Sequence, residues 1–289
     1  MKKLCLLLLL MNLFLTAAYT QDALSLLEDD DPYVTASFKT TRIINGHSVE
    51  QPHGGVLDFR INHRFGFVNS GASELFGLDN ASARIGFDYG LTDRWMIGVG
   101  RSGFNKVYDF STKYKLLRQS TLNTGSPVTM SIFTELEITT IEYPDPERNA
   151  DFNSRLDYAA SLLIARKFSD LFTFQLSPTW IHRNLVNTAA EKNDLFALGV
   201  GGRIKLSKRL TFNAEYFYVG QSQLTSNFNN SIALGFDIET GGHVFQLDFT
   251  NSTAMVYNGF IGETTGNFFD GDIHFGFNIS RVFTLKKPK

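Results

Sequence analysis

Residue types that could carry catalysis are sparse in this sequence, and the pair with the most suggestive spacing is Asp272 and His274. Side chains two positions apart in an extended strand point to the same face, so a carboxylate would lie beside an imidazole. Such a pair can activate water or a hydroxyl for attack on an ester or amide bond. Because no G-x-S-x-G or comparable nucleophile motif accompanies them, ordinary polar strand residues are the favoured interpretation, and a hydrolase is kept as an alternative.

Nucleotide and metal sites are not predicted. The run GVGRSG at residues 98–103 fits the G-x-G-x-x-G pattern of dinucleotide sites, which requires that a helix follow it. Residues 107–116 instead alternate at period 2, so these glycines are predicted to lie in a strand and a tight turn. The six histidines show no H-x-x-x-H or H-x-H spacing, and we expect no bound metal and no cofactor.

Charged residues recur at every second position of many segments. In the first such segment Asp58, Arg60 and Arg64 alternate with Leu57 and Phe59. An unpaired charge that faces a narrow interior loses hydration free energy, so we expect most of these residues to form ion pairs between strands. The alternative is that they form rings of charge that select solutes. The predicted lumen-lining charged residues are Arg60, Arg64, Arg84, Asp88, Lys113, Lys115, Glu135, Glu137, Arg155, Asp157, Arg203, Glu215, Asp237 and Asp248.

The elements that must position these residues are strands. Twelve segments, each with one apolar and one polar face, approach or exceed the roughly 9–11 residues with which a tilted strand crosses a bilayer. Aromatic residues such as Trp95, Tyr108 and Trp180 lie near segment ends, where interface girdles occur. The pattern predicts an all-β fold, a closed antiparallel up-and-down transmembrane β-barrel of about 12 strands within a range of about 10–14. An exported soluble β protein is the alternative.

Connection lengths give an independent argument for the barrel. The short connections are residues 90–93, 169–170, 207–209 and 240–242, and the longer ones are residues 69–79, 142–151, 183–193, 220–230 and 251–271. Two connections fit this division less well, because residues 103–106 are short for a loop and residues 118–127 are long for a turn. Short turns at one end and long loops at the other are typical of outer-membrane barrels, whose turns face the periplasm. An even strand number then predicts that both termini are periplasmic.

The N-terminal region is predicted to differ from the barrel. Residues 1–20 have a basic start, an apolar stretch and small residues before a cut, as in a secretory signal peptide. Cleavage would remove Cys5, the only cysteine, so no thiol chemistry is expected in the mature chain. Residues 21–54 are predicted to be a periplasmic or lumen-plug segment, and residues 55–285 to be the outer-membrane barrel.

Composition limits the partners. A formal net charge of −2 and a pI near 6.3 argue against nucleic-acid binding, which requires a basic excess. Beyond the signal peptide no stretch approaches the length of about 18 apolar residues that a membrane helix needs. The expected partners are outer-membrane lipid, the barrel assembly machinery and, through residues 21–54, a periplasmic protein.

Several stretches resemble a known family. They are TTRIING at residues 40–46, HRFG at 63–66, FGLD at 76–79, GVGRS at 98–102, DIETGGHVFQL at 237–247 and FGFNISRVF at 275–283. Together they are similar to the DUF5777-like β-barrel family of the Bacteroidota, from about residue 38 to the C-terminus. The resemblance implies an outer-membrane barrel of a Gram-negative bacterium, and it implies no activity.

The functional hypotheses follow from this architecture. The leading one is a non-enzymatic pore or envelope barrel for small polar solutes, with or without a plug. The alternatives are an outer-membrane barrel hydrolase that acts on lipid or peptide at the outer rim, through Asp272 and His274, and a structural or scaffolding barrel.

Overall fold

The structure is a computed structural model that describes residues 32–122, 125–142, 151–186 and 188–286. Val34–Lys289 forms one compact unit, and Met1–Tyr33 forms a second unit that lies almost wholly outside the described residues. The predicted signal peptide, residues 1–20, also lies outside them.

Twelve strands in the described residues close into one barrel. They are β1 (Val56–Phe67), β2 (Ala81–Thr92), β3 (Trp95–Ser102), β4 (Val107–Leu117), β5 (Thr129–Thr139), β6 (Leu156–Lys167), β7 (Phe172–Arg183), β8 (Asp194–Lys205), β9 (Leu210–Val219), β10 (Ser231–Thr240), β11 (His243–Thr250) and β12 (His274–Thr284). Each strand pairs antiparallel with its neighbours in sequence, and β1 pairs with β12 to close the cylinder. The predicted closed, antiparallel, up-and-down barrel of twelve strands is confirmed.

The side-chain alternation is inverted relative to a water-soluble protein. In β2 the side chains of Ile85 and Phe87 are exposed outward, whereas Arg84 and Asp88, which flank them in sequence, are buried in the interior. The same alternation of buried polar and exposed apolar residues recurs around the barrel. An outward apolar belt is expected where lipid surrounds a barrel, and it argues against the soluble alternative.

The two ends of the barrel differ. At one end, here the turn end, strands are joined by residues 93–94, 118–128, 168–171, 206–209 and 241–242. At the other, here the loop end, the connections are residues 68–80, 103–106, 140–155, 184–193, 220–230 and 251–273. The first strand begins and the last strand ends at the turn end. Gly241 and Gly242 form one of its two two-residue turns, and both have positive φ, as hairpin turns of type I′ require.

Within the residues that the structure describes, helical structure is confined to short pieces. The helix α1 is Tyr257–Gly262, and single 3-10 turns occur at Val68–Ser70, Ala72–Gly77, Phe104–Lys106, Phe152–Arg155 and Phe268–Asp270. Among the described residues, no helix has the length and apolar character needed to span a membrane.

Candidate functional site

The barrel interior is filled by two chain segments, and the first is a hairpin that precedes β1. We call residues 37–50 the plug hairpin; nearly all of its side chains are buried. Its strands are joined by hydrogen bonds from Ser48 N–H to Thr41 C=O (3.0 Å) and from Ile43 N–H to Gly46 C=O (2.8 Å). Four residues from Ile43 to Gly46 therefore form its tip, inside the barrel.

A carboxylate of the barrel wall holds the hairpin tip. Glu215 on β9 accepts hydrogen bonds from the backbone N–H groups of Ile44 (3.2 Å), Asn45 (2.7 Å) and Gly46 (3.2 Å). Hydrogen bonds to an ionised acceptor are stronger than neutral ones. The tip also makes close contact with the wall, because a Cβ at Gly46 would come within 2.7 Å of the Phe217 ring.

A wall ammonium holds the hairpin base. Lys113 on β4 donates to the carbonyl oxygens of Thr41 (3.2 Å), Ser48 (2.9 Å) and Glu50 (2.5 Å). Lysine has three donors and no acceptor, so these contacts use its full capacity. The side chain is completely buried, and the main chain of the hairpin takes the place of the water that would otherwise solvate it.

Two wall glutamines extend this main-chain recognition. Gln175 on β7 accepts from Val49 N–H (3.0 Å) and donates to His47 C=O (2.8 Å). Gln246 on β11 donates to Ile43 C=O (2.7 Å). The hairpin is thus held mainly by side chains of the wall that contact its backbone.

The second filling segment comes from the loop end. We call residues 251–264, which include α1, the inward loop; most of its side chains are buried. Two wall carboxylates of β5 accept from the first N–H groups of α1: Glu135 from Tyr257 (3.0 Å) and Glu137 from Asn258 (2.7 Å). Since the first N–H groups of a helix have no partner within it, these carboxylates satisfy the N-terminus of α1.

The plug hairpin and the inward loop meet in the middle of the barrel. The backbone N–H of His47 donates to the Tyr257 hydroxyl at 2.9 Å. The His47 ring also stacks on Phe133 of β5, with ring centroids 4.0 Å apart, and Phe133 contacts Tyr257. The two segments, which enter from opposite ends, therefore share one contact surface.

Part of the interior is apolar, which the sequence analysis did not predict. Inward-facing apolar side chains of β5–β10 form a cluster with both filling segments. Its wall members are Phe133, Ala159, Leu163, Ala165, Ile181, Leu195, Ala197, Phe217, Val219 and Ala233. In several of these strands, apolar residues occupy both sets of alternating positions, including the set that faces the interior. That pattern in the sequence could have indicated an apolar cluster inside the barrel.

Two ion pairs in the polar part of the interior each reach across one intervening strand, and a glycine of that strand lies beneath each pair. Arg64 on β1 pairs with Asp248 on β11 at 3.1 Å, and Gly276 on β12 lies between them in register. A Cβ at Gly276 would come within 2.7 Å of both charged groups. Arg84 on β2 pairs in the same way with Asp109 on β4, across β3. These two pairs join strands as expected, over a longer reach than adjacent neighbours, whereas Lys113, Glu135, Glu137 and Glu215 bind backbone groups of the filling segments instead.

The other predicted lining charges are placed as follows. Those buried in the interior are Arg60, Arg64, Arg84, Asp88, Lys113, Glu135, Glu137, Arg203, Glu215, Asp237 and Asp248, and those partly buried are Lys115, Arg155 and Asp157. Arg155 ends a 3-10 turn at the loop end and donates to the carbonyl oxygens of Thr139 (3.2 Å) and Ile141 (2.8 Å). It therefore braces the rim.

The predicted catalytic pair is arranged differently from the expectation. Asp272 precedes β12, and its carboxylate accepts from Asn267 N–H (3.0 Å) and the Asn69 side chain (2.7 Å). These hydrogen bonds, the first above all, lower the pKa of Asp272. His274 places its ring nitrogens on the Phe65 carbonyl (2.7 Å) and the Thr253 hydroxyl (2.9 Å). Asp272 and His274 thus brace loops rather than each other.

Metal ligands do not converge in the part of the chain that the structure describes. No group of three or more His, Cys, Asp or Glu side chains there is arranged to hold an ion. The glycines at residues 98–103 lie in β3 and the following turn, and they are followed by the single 3-10 turn Phe104–Lys106 and then by β4 instead of the α-helix that a dinucleotide site requires.

Comparisons with known proteins give the following matches. No curated protein matches the chain. The KdgM porin has 9% sequence identity over 79% of this chain and 99% of its own, with a TM-score of 0.46. Omp33 of Acinetobacter baumannii has 9% identity over 78% and 97%, with a TM-score of 0.40. Outer membrane phospholipase A from Escherichia coli has 9% identity over 80% and 91%, with a TM-score of 0.43.

The family comparison covers most of the chain. The model of the family described as "membrane bound beta barrel domain (DUF5777)" matches residues 38–283. That span begins in the plug hairpin and ends in β12, so the family model includes both the hairpin and the barrel. The chain belongs to this family of membrane-bound β-barrel proteins.

Proposed function

We propose that the protein is an outer-membrane barrel with a polar conduit for small solutes, which the plug hairpin keeps closed. The observation that carries the proposal is the way the hairpin is held. Lys113, Glu215, Gln175 and Gln246 bind it largely through backbone groups, and water can replace such partners when the hairpin leaves.

The wall that the hairpin covers supports a conduit. Arg60 reaches the Thr41 hydroxyl (3.2 Å), which donates to Asp88 (2.8 Å), and Arg64 reaches the Asn45 side chain (2.8 Å). Without the hairpin these wall groups would face water. Charged and polar side chains of both signs line aqueous channels and select among solutes.

The orientation in the membrane belongs to the same proposal. Four of the five connections at the turn end have four residues or fewer, and both barrel termini lie there; the end with the short turns faces the periplasm in outer-membrane barrels. The plug hairpin then enters from the periplasm and the inward loop from outside the cell.

Ion conductance in planar bilayers tests the conduit. We expect the full chain to be closed and a variant that lacks residues 21–52 to conduct in discrete steps. In the full chain, Lys113→Met should give intermittent openings, because the hairpin base loses three hydrogen bonds. Lys106→Met, an exposed loop residue, is the matched control and should stay closed.

The structural or scaffolding barrel is the second candidate, and the apolar cluster that joins both filling segments to the wall favours it. Folding of each variant is checked by heat-modifiable electrophoretic mobility. A folded deletion variant that carries no current would exclude the conduit and leave the structural barrel. The hydrolase alternative is tested by measuring lipid hydrolysis in Asp272→Ala and His274→Ala variants. Activity that persists in both variants would show that these two residues are not a catalytic pair.

A further inference from the structure

A row of three polar side chains faces outward at the turn end of the barrel. They are direct register neighbours on adjacent strands: Thr240 on β10, His243 on β11 and Arg281 on β12. We call them the donor row. Each occupies the outward-facing set of alternating positions in its strand. A hydroxyl, an imidazole and a guanidinium therefore lie side by side on the outer surface of a membrane-bound barrel.

The donors of this row are open to a ligand. In the part of the chain that the structure describes, none of the three side chains forms a hydrogen bond or an ion pair. The Arg281 guanidinium lies over the Phe283 ring, with Cζ 4.9 Å from the ring centroid. Stacking uses the face of a guanidinium and leaves its N–H edge free, and that edge binds two phosphate oxygens at once. Arg281 is therefore positioned to receive a phosphate.

Large apolar side chains continue the same surface toward the middle of the barrel wall. Two further outward rows follow the donor row in register on β10, β11 and β12. The first row consists of Ile238, Phe245 and Ile279, and the second of Phe236, Leu247 and Phe277. A polar row that is followed by apolar rows matches the order of a lipid headgroup and its acyl chains.

The charges around the donor row favour an anion. The outward positions of β10, β11 and β12 hold no carboxylate. Glu239 is next to Thr240 in sequence but belongs to the opposite set of positions, and it forms an ion pair with Lys39. Exposed Arg209 lies in the neighbouring turn, where its carbonyl oxygen accepts from Glu239 N–H at 2.8 Å. A negative ligand at the donor row would therefore meet net positive charge.

We propose that the donor row binds the phosphate of one anionic phospholipid, whose acyl chains lie along the two apolar rows. Phosphatidylglycerol has this chemistry, because its headgroup keeps a net negative charge. The ammonium group of phosphatidylethanolamine would instead be repelled by Arg281. The inference rests on the orientation proposed above, which places the turn end in the periplasmic leaflet, and that leaflet is built of phospholipids.

Native mass spectrometry of the full chain tests the site. The protein is extracted in mild detergent from bilayers with equal amounts of phosphatidylglycerol and phosphatidylethanolamine. We expect one retained phosphatidylglycerol, with a preference of about fivefold, as one partly exposed ion pair gives. Equal retention of the two lipids, or retention of neither, would overturn the proposal. Because both leaflets of a synthetic bilayer hold the same lipids, this result depends neither on the orientation nor on conductance, and it can fail while the conduit holds.

Matched variants separate the donor row from the total charge of the turn end. Arg281→Met should abolish the preference for phosphatidylglycerol. Arg166→Met is the control, because Arg166 also faces outward at the turn end and stacks on Phe168 at 5.1 Å, but its register neighbour on β7 is the apolar Phe174. This variant should keep the preference. An equal loss in both variants would refute the donor row as the site. Folding of each variant is checked by heat-modifiable electrophoretic mobility.

A soluble competitor separates the whole lipid from its headgroup. Glycerophosphoglycerol, which is the headgroup of phosphatidylglycerol without acyl chains, is added to the extracted full chain in large excess. The retained phosphatidylglycerol should stay bound, because contact of its acyl chains with the apolar rows supplies most of the binding free energy. Displacement by the soluble headgroup would show that the donor row takes a free phosphodiester and would overturn the lipid assignment.

Discussion

Gly100 shows how the absence of one side chain decides which charges can pair inside the barrel. The Arg84–Asp109 ion pair joins β2 to β4 across β3, and Gly100 lies on β3 beneath it. A Cβ at Gly100 would come within 2.3 Å of the Arg84 guanidinium and within 2.6 Å of the Asp109 carboxylate. Gly100, in the middle of the run at residues 98–103, thus leaves the space in which this ion pair forms.

We expect Gly100→Ala to destabilise the barrel. The methyl group would separate two fully buried charges, and breaking a buried pair costs about 3 kcal/mol or more. Urea-induced unfolding in lipid vesicles measures the free energy of unfolding. Gly202→Ala is the control, because a Cβ at Gly202 meets only ordinary contacts at 3.6 Å and beyond, and equal stabilities of the two variants would contradict the argument.

The alternation in the sequence predicts which face of the sheet each charged residue occupies, but it does not predict which residue it pairs with. Period 2 assigns Arg64 and Asp248 to the interior, because a strand turns successive side chains to opposite faces, and both side chains are buried. Their pairing depends on β1 and β11 flanking β12 and on Gly276 between them, which is set by barrel closure. The hydrogen-bonded His182–Asp194 pair was missed for a different reason, because the register of the adjacent strands β7 and β8 depends on the loop that joins them.

At the scale of elements, the plug hairpin is a small unit whose order depends on the wall. It has two internal backbone hydrogen bonds between Thr41 and Ser48, too few to hold an isolated hairpin in water. Glu215 supplies three further acceptor contacts at the tip. The stability of the hairpin should therefore change independently of that of the barrel.

Hydrogen exchange followed by mass spectrometry measures that independence. Glu215→Ala should lower protection of residues 40–48 by about 100-fold, since three hydrogen bonds are worth roughly 1 kcal/mol each. The strands should keep their protection. Glu239→Ala, which removes only the partly exposed ion pair with Lys39, should change protection of the tip little. A loss spread evenly over hairpin and strands would instead indicate one cooperative unit.

The filling of the lumen could be predicted only in part. A plug is predicted as one possibility because residues 21–54 precede the first strand of a barrel whose interior a modest segment could fill. The inward loop was not predicted, because residues 251–264 carry apolar side chains without strand alternation, and a short helix of six residues leaves no periodic signal. The two residues that anchor the loop, Glu135 and Glu137, lie on β5, which is distant in sequence. Only the closed barrel brings that strand next to the inward loop.

At the scale of the whole molecule, the interior has two unlike parts. The strands β5–β10 contribute the apolar cluster that packs on α1, whereas β1–β4, β11 and β12 contribute most of the crossing ion pairs and polar contacts to the plug hairpin. Removal of the hairpin would therefore open a path along the polar part, while the inward loop stays packed on the apolar part.

Thiol accessibility locates that path. The only native cysteine, Cys5, belongs to the predicted signal peptide, so single cysteines report cleanly. In the variant that lacks residues 21–52, Asn62→Cys on the polar part should react with a charged methanethiosulfonate reagent, because water fills the space that the hairpin leaves. Leu195→Cys on β8, which is buried against Gly262 of the inward loop, should not react. With the hairpin present both should be protected, and equal labelling of both in the deletion variant would show that the inward loop leaves with the hairpin.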